Sequence, residues 1–407
     1  MTIRSVEEIR AQFPALRRVH QGRPVAYFDG PGGSQVPQGV IDAMADYLAH
    51  HNANTHWNYP SSQETDGILA GARAKVANFL NALPTEVAFG PNMTTLTFHL
   101  ARALGRGMTA GDELVVTELD HHGNVGPWEA IARERNLTLR RVPFRLEDGT
   151  LDPAQVIGAL GPRTRVVAIG GASNALGTVN DVAPVCAVAR ERGIVSFVDA
   201  VHYAPHVLPD VRALGCDFLG CSPYKFHGPH MGVLYGRHDR IVALDVPKLV
   251  PAPNEAPERL ETGTQNHEGI AGTGAAIDFL AWIAPRATRR ASLEAAFQEL
   301  HDRGTALFRR LWDGLGALPA VRRFGPGPDR PRTPTLGFVV TGVPSSVVAT
   351  YLASKAIWVS HGDFYAATVV ERLGLGEEGL VRAGAACYTT AAEVDRLVAA
   401  VDEVVRR

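Results

Sequence analysis

Cysteine is scarce in this sequence, which has only four among 407 residues and no Cys-x-x-Cys pair. Isolated cysteines argue against a disulfide framework and against a zinc knuckle, so we expect a reducing, cytoplasmic setting and no resident metal. Long apolar runs are also missing, because no stretch approaches the roughly 18 residues that span a bilayer. The first residues, Met1-Thr-Ile-Arg-Ser, lack the basic and then apolar pattern of a secretory signal.

An excess of charge of either sign is absent as well. Lys and Arg number 40 and Asp and Glu number 42, which gives a formal net charge of -2. No strong field is available to recruit nucleic acid or an anionic membrane surface, and we expect neither as a partner. A chain of 407 residues, of which 45% are hydrophobic, suits a large core domain with a smaller companion.

Short apolar runs alternate with helical stretches through the first two thirds of the chain. This βα alternation is typical of a mostly parallel sheet with helices on both faces, and so predicts an α/β fold. The seven predicted strands are Glu86 to Gly90, Glu113 to Thr117, Thr138 to Val142, Val166 to Gly170, Ile194 to Val198, Phe218 to Cys221 and Gly232 to Tyr235.

The pattern changes near residue 285. A long charged helix is predicted from Arg286 to about Leu315, followed by strands at Leu336 to Val340 and Leu380 to Ala385 that indicate a second sheet. We therefore expect a large domain at 25–285, a small α+β domain at 286–407, and an N-terminal arm at 1–24 that packs with the small domain.

Lys225 lies in Ser222-Pro223-Tyr224-Lys225, downstream of an acid, Asp199, that closes a predicted buried strand. A lysine amine can form the Schiff base that holds the aldehyde of pyridoxal phosphate. A carboxylate at the carboxyl end of a parallel strand can keep the pyridine nitrogen protonated. The pair predicts a pyridoxal phosphate site, whereas a surface lysine after a strand is the alternative.

Other segments contain residues that can bind the phosphate and stack on the ring of that cofactor. Hydroxyls at a helix start suit a phosphate, and Thr94 and Thr95 follow a strand, although a threonine pair there is also an ordinary N-cap. Ser222 and Tyr224 can add hydroxyls. His121 can stack on the pyridine ring, although paired histidines are also typical of a metal site or a solvated loop.

Three further polar residues are candidates for the rest of the site. Asn174 and His202 follow two of the predicted strands and can reach the phenolic oxygen of the cofactor, and Asn174 can also reach the substrate carboxylate. Arg382 is the candidate clamp for the α-carboxylate of the substrate, because a guanidinium matches a carboxylate bidentately. A solvated arginine and a simple turn at Asn174 are the alternatives.

Taken together, these motifs resemble the class V aminotransferase family of fold type I pyridoxal phosphate enzymes, and within it the cysteine desulfurase and selenocysteine lyase branch. The resemblance covers nearly the whole chain. It is carried by 120–128, 173–178, Asp199 with His202, 222–225, 261–266 and Arg382.

The resemblance implies a large domain with a mostly parallel seven-stranded sheet and an amino-acid substrate. It also implies the roles of His121 as the stacking residue, Asp199 as the ring partner, His202 as a neighbour of the phenolic oxygen and Lys225 as the Schiff-base lysine. The loop with Thr264 would reach the phosphate of a neighbouring subunit, which implies a homodimer with shared sites.

One departure from the resemblance concerns the reaction. Desulfurases of this branch carry a persulfide-forming cysteine before the strand with the arginine clamp, but Tyr365 occupies that place, and no cysteine lies between Cys221 and Cys387. Cys387 is expected to be a buried strand cysteine that points away from Arg382. A phenol cannot accept sulfur as a thiolate does.

Three hypotheses remain for the function. The first is carbon-sulfur cleavage at the β carbon of a small L-amino acid without a persulfide cysteine. The second is transamination or epimerisation of another amino acid, with His361, Asp363 and Tyr365 selecting the substrate. The third is a non-enzymatic protein that kept the fold.

Overall fold

The computed structural model describes residues 3–406. Its strands, in chain order, are β1 Val19–His20, β2 Arg23–Pro24, β3 Ala26–Tyr27, β4 Val87–Gly90, β5 Glu113–Thr117, β6 Thr138–Val142, β7 Thr164–Gly170, β8 Val195–Asp199, β9 Phe218–Cys221, β10 Gly232–Gly236, β11 Val321–Phe324, β12 Thr335–Val340, β13 Ile357–Trp358, β14 Ser360–Gly362 and β15 Leu380–Gly384.

The α-helices are α1 Val6–Ala11, α2 Gln38–Asp46, α3 Pro60–Leu80, α4 Met93–Gly105, α5 Gly126–Arg135, α6 Pro153–Ala159, α7 Ala183–Glu191, α8 Val211–Leu214, α9 His238–Ala243, α10 His267–Trp282, α11 Arg289–Gly316, α12 Ser345–Ser354, α13 Ala367–Arg372 and α14 Ala391–Val405. Within the described residues, no helix is both long and apolar enough to cross a bilayer.

The central sheet contains the seven predicted strands in the order β4-β10-β9-β8-β7-β5-β6. β10 runs antiparallel to both of its neighbours, and the other pairs are parallel. Because parallel strands end at the same edge, the carboxyl ends of β5, β7, β8 and β9 lie side by side. The predicted α/β fold is therefore confirmed, and this edge carries the polar residues described below.

A second sheet, with the order β11-β12-β15-β14, is antiparallel. Its core packs side chains of α11, α12 and α14 against Leu336 and Phe338 of β12 and Val381 of β15. In the register of this sheet, Arg382 of β15 lies between Gly337 of β12 and Ser360 of β14. The second sheet thereby holds the predicted clamp at a fixed position.

The N-terminal helix α1 contacts both regions of the chain. Its capping box joins Ser5 and Glu8, and the helix ends at Ala11 before Pro14 opens a separate 3₁₀ turn. Arg10 pairs with Glu393 of α14. Phe13 contacts Phe279 of α10, with 5.2 Å between ring centroids, as well as Tyr388. The boundaries at 24/25 and 285/286 remain predictions.

Candidate active site

A cavity of about 680 Å³ lies at the carboxyl edge of the central sheet. It is bordered by residues that follow β5, β7, β8 and β9, by the start of α4, and by residues near β14 and β15. Ten of the thirteen predicted site residues line it, namely Thr94, His121, Asn174, Asp199, His202, Ser222, Tyr224, Lys225, Tyr365 and Arg382. Segments more than 280 residues apart in sequence thus meet in one space.

The Lys225 amine is held beside the Gly-Pro-Gly turn that follows β3. Its Nζ donates hydrogen bonds to the carbonyl oxygens of Pro31 at 2.6 Å and Gly32 at 2.8 Å. Burial, together with the nearby charge of Arg382, lowers the pKa of Lys225 to about 7. A substantial fraction of this amine is therefore neutral near pH 7 and able to act as a nucleophile or a base.

Asp199 ends β8 and points into the cavity. Its Oδ1 accepts a hydrogen bond from the backbone N–H of Val201 at 2.9 Å. Burial raises the pKa of Asp199 to about 6, while the Val201 hydrogen bond and the Lys225 charge oppose that rise. A cation placed against this carboxylate would restore its ionised form, which is what a protonated pyridine nitrogen would provide.

Asp120 is a second buried carboxyl group in the cavity, and no role for it was predicted. Its Oδ1 accepts the backbone N–H of Gly170 at 2.8 Å, and its Oδ2 accepts Nδ2 of Asn124 at 3.1 Å. A Cβ on Gly170 would lie only 2.5 Å from Oδ1, so only glycine leaves room there. Burial raises the pKa of Asp120 to about 7, and the charge of Asp199 adds to the rise.

His121 lies directly after this acid, and its ring is fixed by a local hydrogen bond. Nδ1 accepts the backbone N–H of Gly123 at 2.8 Å, which leaves the proton of the neutral ring on Nε2. A Cβ on Gly123 would lie 2.9 Å from both this Nδ1 and the hydroxyl of Thr94. Burial lowers the pKa of His121 to about 4, so the ring is neutral near pH 7 and suited to stacking.

The start of α4 forms the predicted phosphate end of the cavity. Asn92 is the N-cap and accepts the backbone N–H of Thr95 at 2.8 Å. The N–H of Met93 points at the hydroxyl of Ser222, at 3.4 Å, and Thr94 lines the cavity beside them. A helix N-terminus with two hydroxyls attracts an anion through its dipole and its backbone N–H groups.

Three predicted residues do not reach this cavity. Thr95 and Thr264 instead line a separate groove, because the turn of a helix points successive residues in different directions and Thr94 takes the cavity side. His361 is exposed on β14 and lies outside the cavity lining. The cofactor and substrate roles of these three side chains remain predictions, and the role of Thr264 concerns a neighbouring subunit.

Arg382 is almost fully buried, and burial lowers its pKa to about 10, which leaves it charged at neutral pH. Its Nη1 donates to the backbone oxygen of Asn174 at 3.1 Å, and its Nη2 lies 3.4 Å from Oδ1 of Asp29. The ring of Phe364 covers the guanidinium, with 4.0 Å between Cζ and the ring centroid. The contact is a cation–π interaction on one face of the planar guanidinium group.

Several buried polar atoms of the cavity residues have no partner among the described residues. They are Oδ1 of Asn174, Nδ1 of His202 and Nε of Arg382. Buried polar atoms are nearly always hydrogen-bonded, so unpartnered atoms on residues of one cavity indicate a polar ligand. Together with the lysine, the ring acid and the anion-binding helix start, they fit pyridoxal phosphate and an amino acid.

Residues 363–366 form a loop over the cavity, which we call the lid loop. The backbone oxygen of Phe364 accepts Nδ2 of Asn174 at 2.9 Å, and that of Tyr365 accepts the N–H of His122 at 2.7 Å. Both lid residues have left-handed backbone angles, with φ of 57° and 58°. The Tyr365 ring lies 5.5 Å from the ring of His121, centroid to centroid. Neither the hydrogen bonds that hold the lid loop nor its left-handed backbone angles are evident from the sequence.

The aminotransferase class-V family model matches residues 26–397. A cysteine desulfurase of Pectobacterium carotovorum is 32% identical over 98% of each chain. A probable cysteine desulfurase of Pseudomonas putida is 34% identical over 97% of each chain. These lengths show that the likeness includes both sheets as well as the cavity.

Among solved structures, the apo cysteine desulfurase of Thermococcus onnurineus aligns with a TM-score of 0.89 and 28% identity, over 100% of this chain and 99% of that one. The fold matches fold type I enzymes, and pyridoxal phosphate is the cofactor. The chain therefore belongs to the class V aminotransferase family and is a pyridoxal phosphate-dependent, cysteine desulfurase-like enzyme.

Proposed function

We propose that this enzyme cleaves the bond between the β carbon and sulfur of a small L-amino acid and releases the sulfur as a free thiol, without a persulfide cysteine. From cysteine and water, the products would be sulfide, pyruvate and ammonium. The proposal is supported by the lid loop, because Tyr365 lies next to the ring of His121 and is the residue that the family resemblance matches to the expected thiol.

Each of these cavity residues has a separate role in the proposed reaction. Lys225 would hold the cofactor, and its amine would accept the proton from the α carbon of the substrate. Bound pyridoxal phosphate supplies the electron sink that stabilises negative charge at that carbon. Arg382 would hold the α-carboxylate of the substrate. His121 would stack on the cofactor ring, Asp199 would pair with the ring nitrogen, and the start of α4 with Ser222 would hold the phosphate.

None of the four cysteines, all within the described chain, lines this cavity. Cys186, Cys216 and Cys221 are buried, and burial raises the pKa of all three thiols, that of Cys186 to about 12. Thiols with such pKa values are poor nucleophiles at neutral pH. These three cysteines support the proposal because their thiols are not suited to take the place of the persulfide-forming cysteine.

Cys387 requires a separate argument. The expectation that it lies on a strand was wrong, because β15 ends at Gly384 and Cys387 lies in the following turn. Its Sγ is 3.3 Å from Nε2 of His227, and it lines a different cavity that Lys225 also borders. Burial raises the pKa of this thiol as well, so it is protonated at neutral pH.

The test measures the two products of the proposed cleavage, the sulfur compound and pyruvate. The reconstituted enzyme is incubated with L-cysteine, L-cystine and cysteine S-conjugates, and thiol or sulfide is measured together with pyruvate. We expect equal amounts of the two, and we expect Cys387→Ser to retain the wild-type rate. Keto-acid formation without thiol release would indicate transamination. Absence of product from every substrate, or loss of the reaction in Cys387→Ser, would contradict the proposal.

We also propose a homodimer with shared sites. Enzymes of this family are typically dimers, and the groove that contains Thr95 and Thr264 is separate from the cavity within one chain, which suits a role for Thr264 toward a second copy. Sedimentation equilibrium of the holoenzyme is expected to give twice the 43.6 kDa mass of one chain. A mass of one chain at micromolar concentration would exclude this proposal.

A further inference from the structure

The outer part of the cavity is lined by rings. Phe98, Phe364, Tyr365 and His122 are among the residues that line the cavity, and Tyr365 is 73% exposed although it is a large aromatic residue. An exposed aromatic ring beside a cavity is an apolar surface that a ligand can cover, and stacking adds to the gain from burial alone.

The lid loop presents these rings in a fixed arrangement. Left-handed backbone angles at two successive non-glycine residues are unfavourable, and such residues persist where surrounding contacts determine them. Here the backbone oxygens of Phe364 and Tyr365 are bound by Asn174 and His122, and the N–H of Tyr365 donates to Oδ1 of Asp363 at 2.9 Å. The rings are therefore placed before a ligand arrives.

Charge in the cavity lining is confined to a few groups. Apart from its histidines, the charged residues that line it are Asp120, Asp199, Lys225 and Arg382. The proposed function uses Asp199 and Lys225 for the cofactor and Arg382 for the α-carboxylate. No second cation in the described lining is left for another carboxylate, such as that at the far end of cystine, so the outer cavity favours an uncharged substituent.

We infer that the substrate is a cysteine S-conjugate whose sulfur carries an aryl or other flat apolar group, held between the lid rings and Phe98. This inference rests on the proposed carbon-sulfur cleavage. The bond between Cβ and sulfur breaks, the sulfur leaves with its electron pair and takes a proton, and water completes the conversion of the remainder to pyruvate and ammonium. An aryl thiol suits this step because a thiol of lower pKa leaves faster.

The test separates recognition from cleavage with carbon analogues. L-Homophenylalanine and L-norvaline have the shapes of S-phenyl- and S-methyl-L-cysteine but no bond to sulfur. Calorimetry with the holoenzyme is expected to show about tenfold tighter binding of L-homophenylalanine. Tyr365→Ala should weaken that binding about fivefold and leave L-norvaline unchanged, whereas Tyr365→Phe keeps the ring and should bind both as the wild type does.

A matched control is Tyr59→Ala, which removes an exposed tyrosine that lies outside the cavity lining and should change neither affinity. Equal affinities for the two analogues, or no effect of Tyr365→Ala, would overturn the inference. Tight, Tyr365-dependent binding of L-homophenylalanine without thiol release from S-phenyl-L-cysteine would instead overturn the proposed reaction and support the aromatic recognition.

Discussion

Replacement of Lys225 by alanine is expected to lower kcat for thiol release by at least about a thousandfold, within the range attributed to general acid–base catalysis. The variant loses the amine that holds the cofactor and the base for the α proton. In the structure this amine lies in the cavity against the carbonyls of Pro31 and Gly32, and among the described residues no other lysine lines the cavity. Single-turnover release of thiol from the cofactor-loaded variant measures the effect.

The control for this substitution is Lys355→Ala. Lys355 lies outside the cavity lining and pairs with Glu403 at 2.6 Å. That contact raises the pKa of Lys355, whereas burial lowers the pKa of Lys225. We expect Lys355→Ala to keep the wild-type kcat. A Lys225→Ala variant that retains more than a tenth of the wild-type rate would show that another group removes the α proton.

The same lysine sets an expected pH dependence. A base must be neutral to accept a proton, so the active fraction of Lys225 grows as the pH rises through its pKa of about 7. The kcat of the wild type is therefore expected to increase with pH below about 7 and to level above it. A kcat that falls as the pH rises from 6 to 7 would contradict this assignment.

Local sequence patterns were sufficient to predict much of this fold. The bounds predicted for β5, β6 and β9 coincide with the structure. For β5 and β9 the reason is that buried strands appear in sequence as short apolar runs between turn residues. Residues that directly follow such strands could be placed at one edge by topology alone. Asp199 at the end of β8 and Ser222 directly after β9 are examples, and both line the cavity.

Other features of the site could not be predicted from the sequence, because they depend on contacts between residues that are distant in the chain. The role of Thr94 rather than Thr95 depends on how α4 is rotated against the sheet. Asp120 could be recognised only from its contact with Gly170 of a neighbouring strand, 50 residues away. The lid loop depends on bonds to Asn174 and His122, and nothing in the local sequence indicates left-handed angles at two bulky residues.

Arg382→Ala is expected to lower kcat/KM for an amino-acid substrate about a hundredfold, because a charge-assisted hydrogen-bonded pair contributes roughly 1.5 to 3 kcal/mol. The guanidinium is buried and charged, and its Nε has no partner within the described residues, so it can receive a carboxylate. Arg382→Lys keeps the charge but loses the planar fork and should recover only part of the activity.

A substrate analogue without a carboxylate distinguishes this role from a structural one. The decarboxylated amine of the same conjugate, assayed in parallel, cannot pair with Arg382, so its slow turnover should change little in Arg382→Ala. The ratio of the two kcat/KM values then falls about a hundredfold with the guanidinium removed. Arg309→Ala, which removes an exposed partner of Asp329, should preserve the ratio. An equal loss for both substrates in Arg382→Ala would mean that Arg382, through its contacts with Asp29 and Phe364, serves to hold the cavity together rather than to bind the carboxylate.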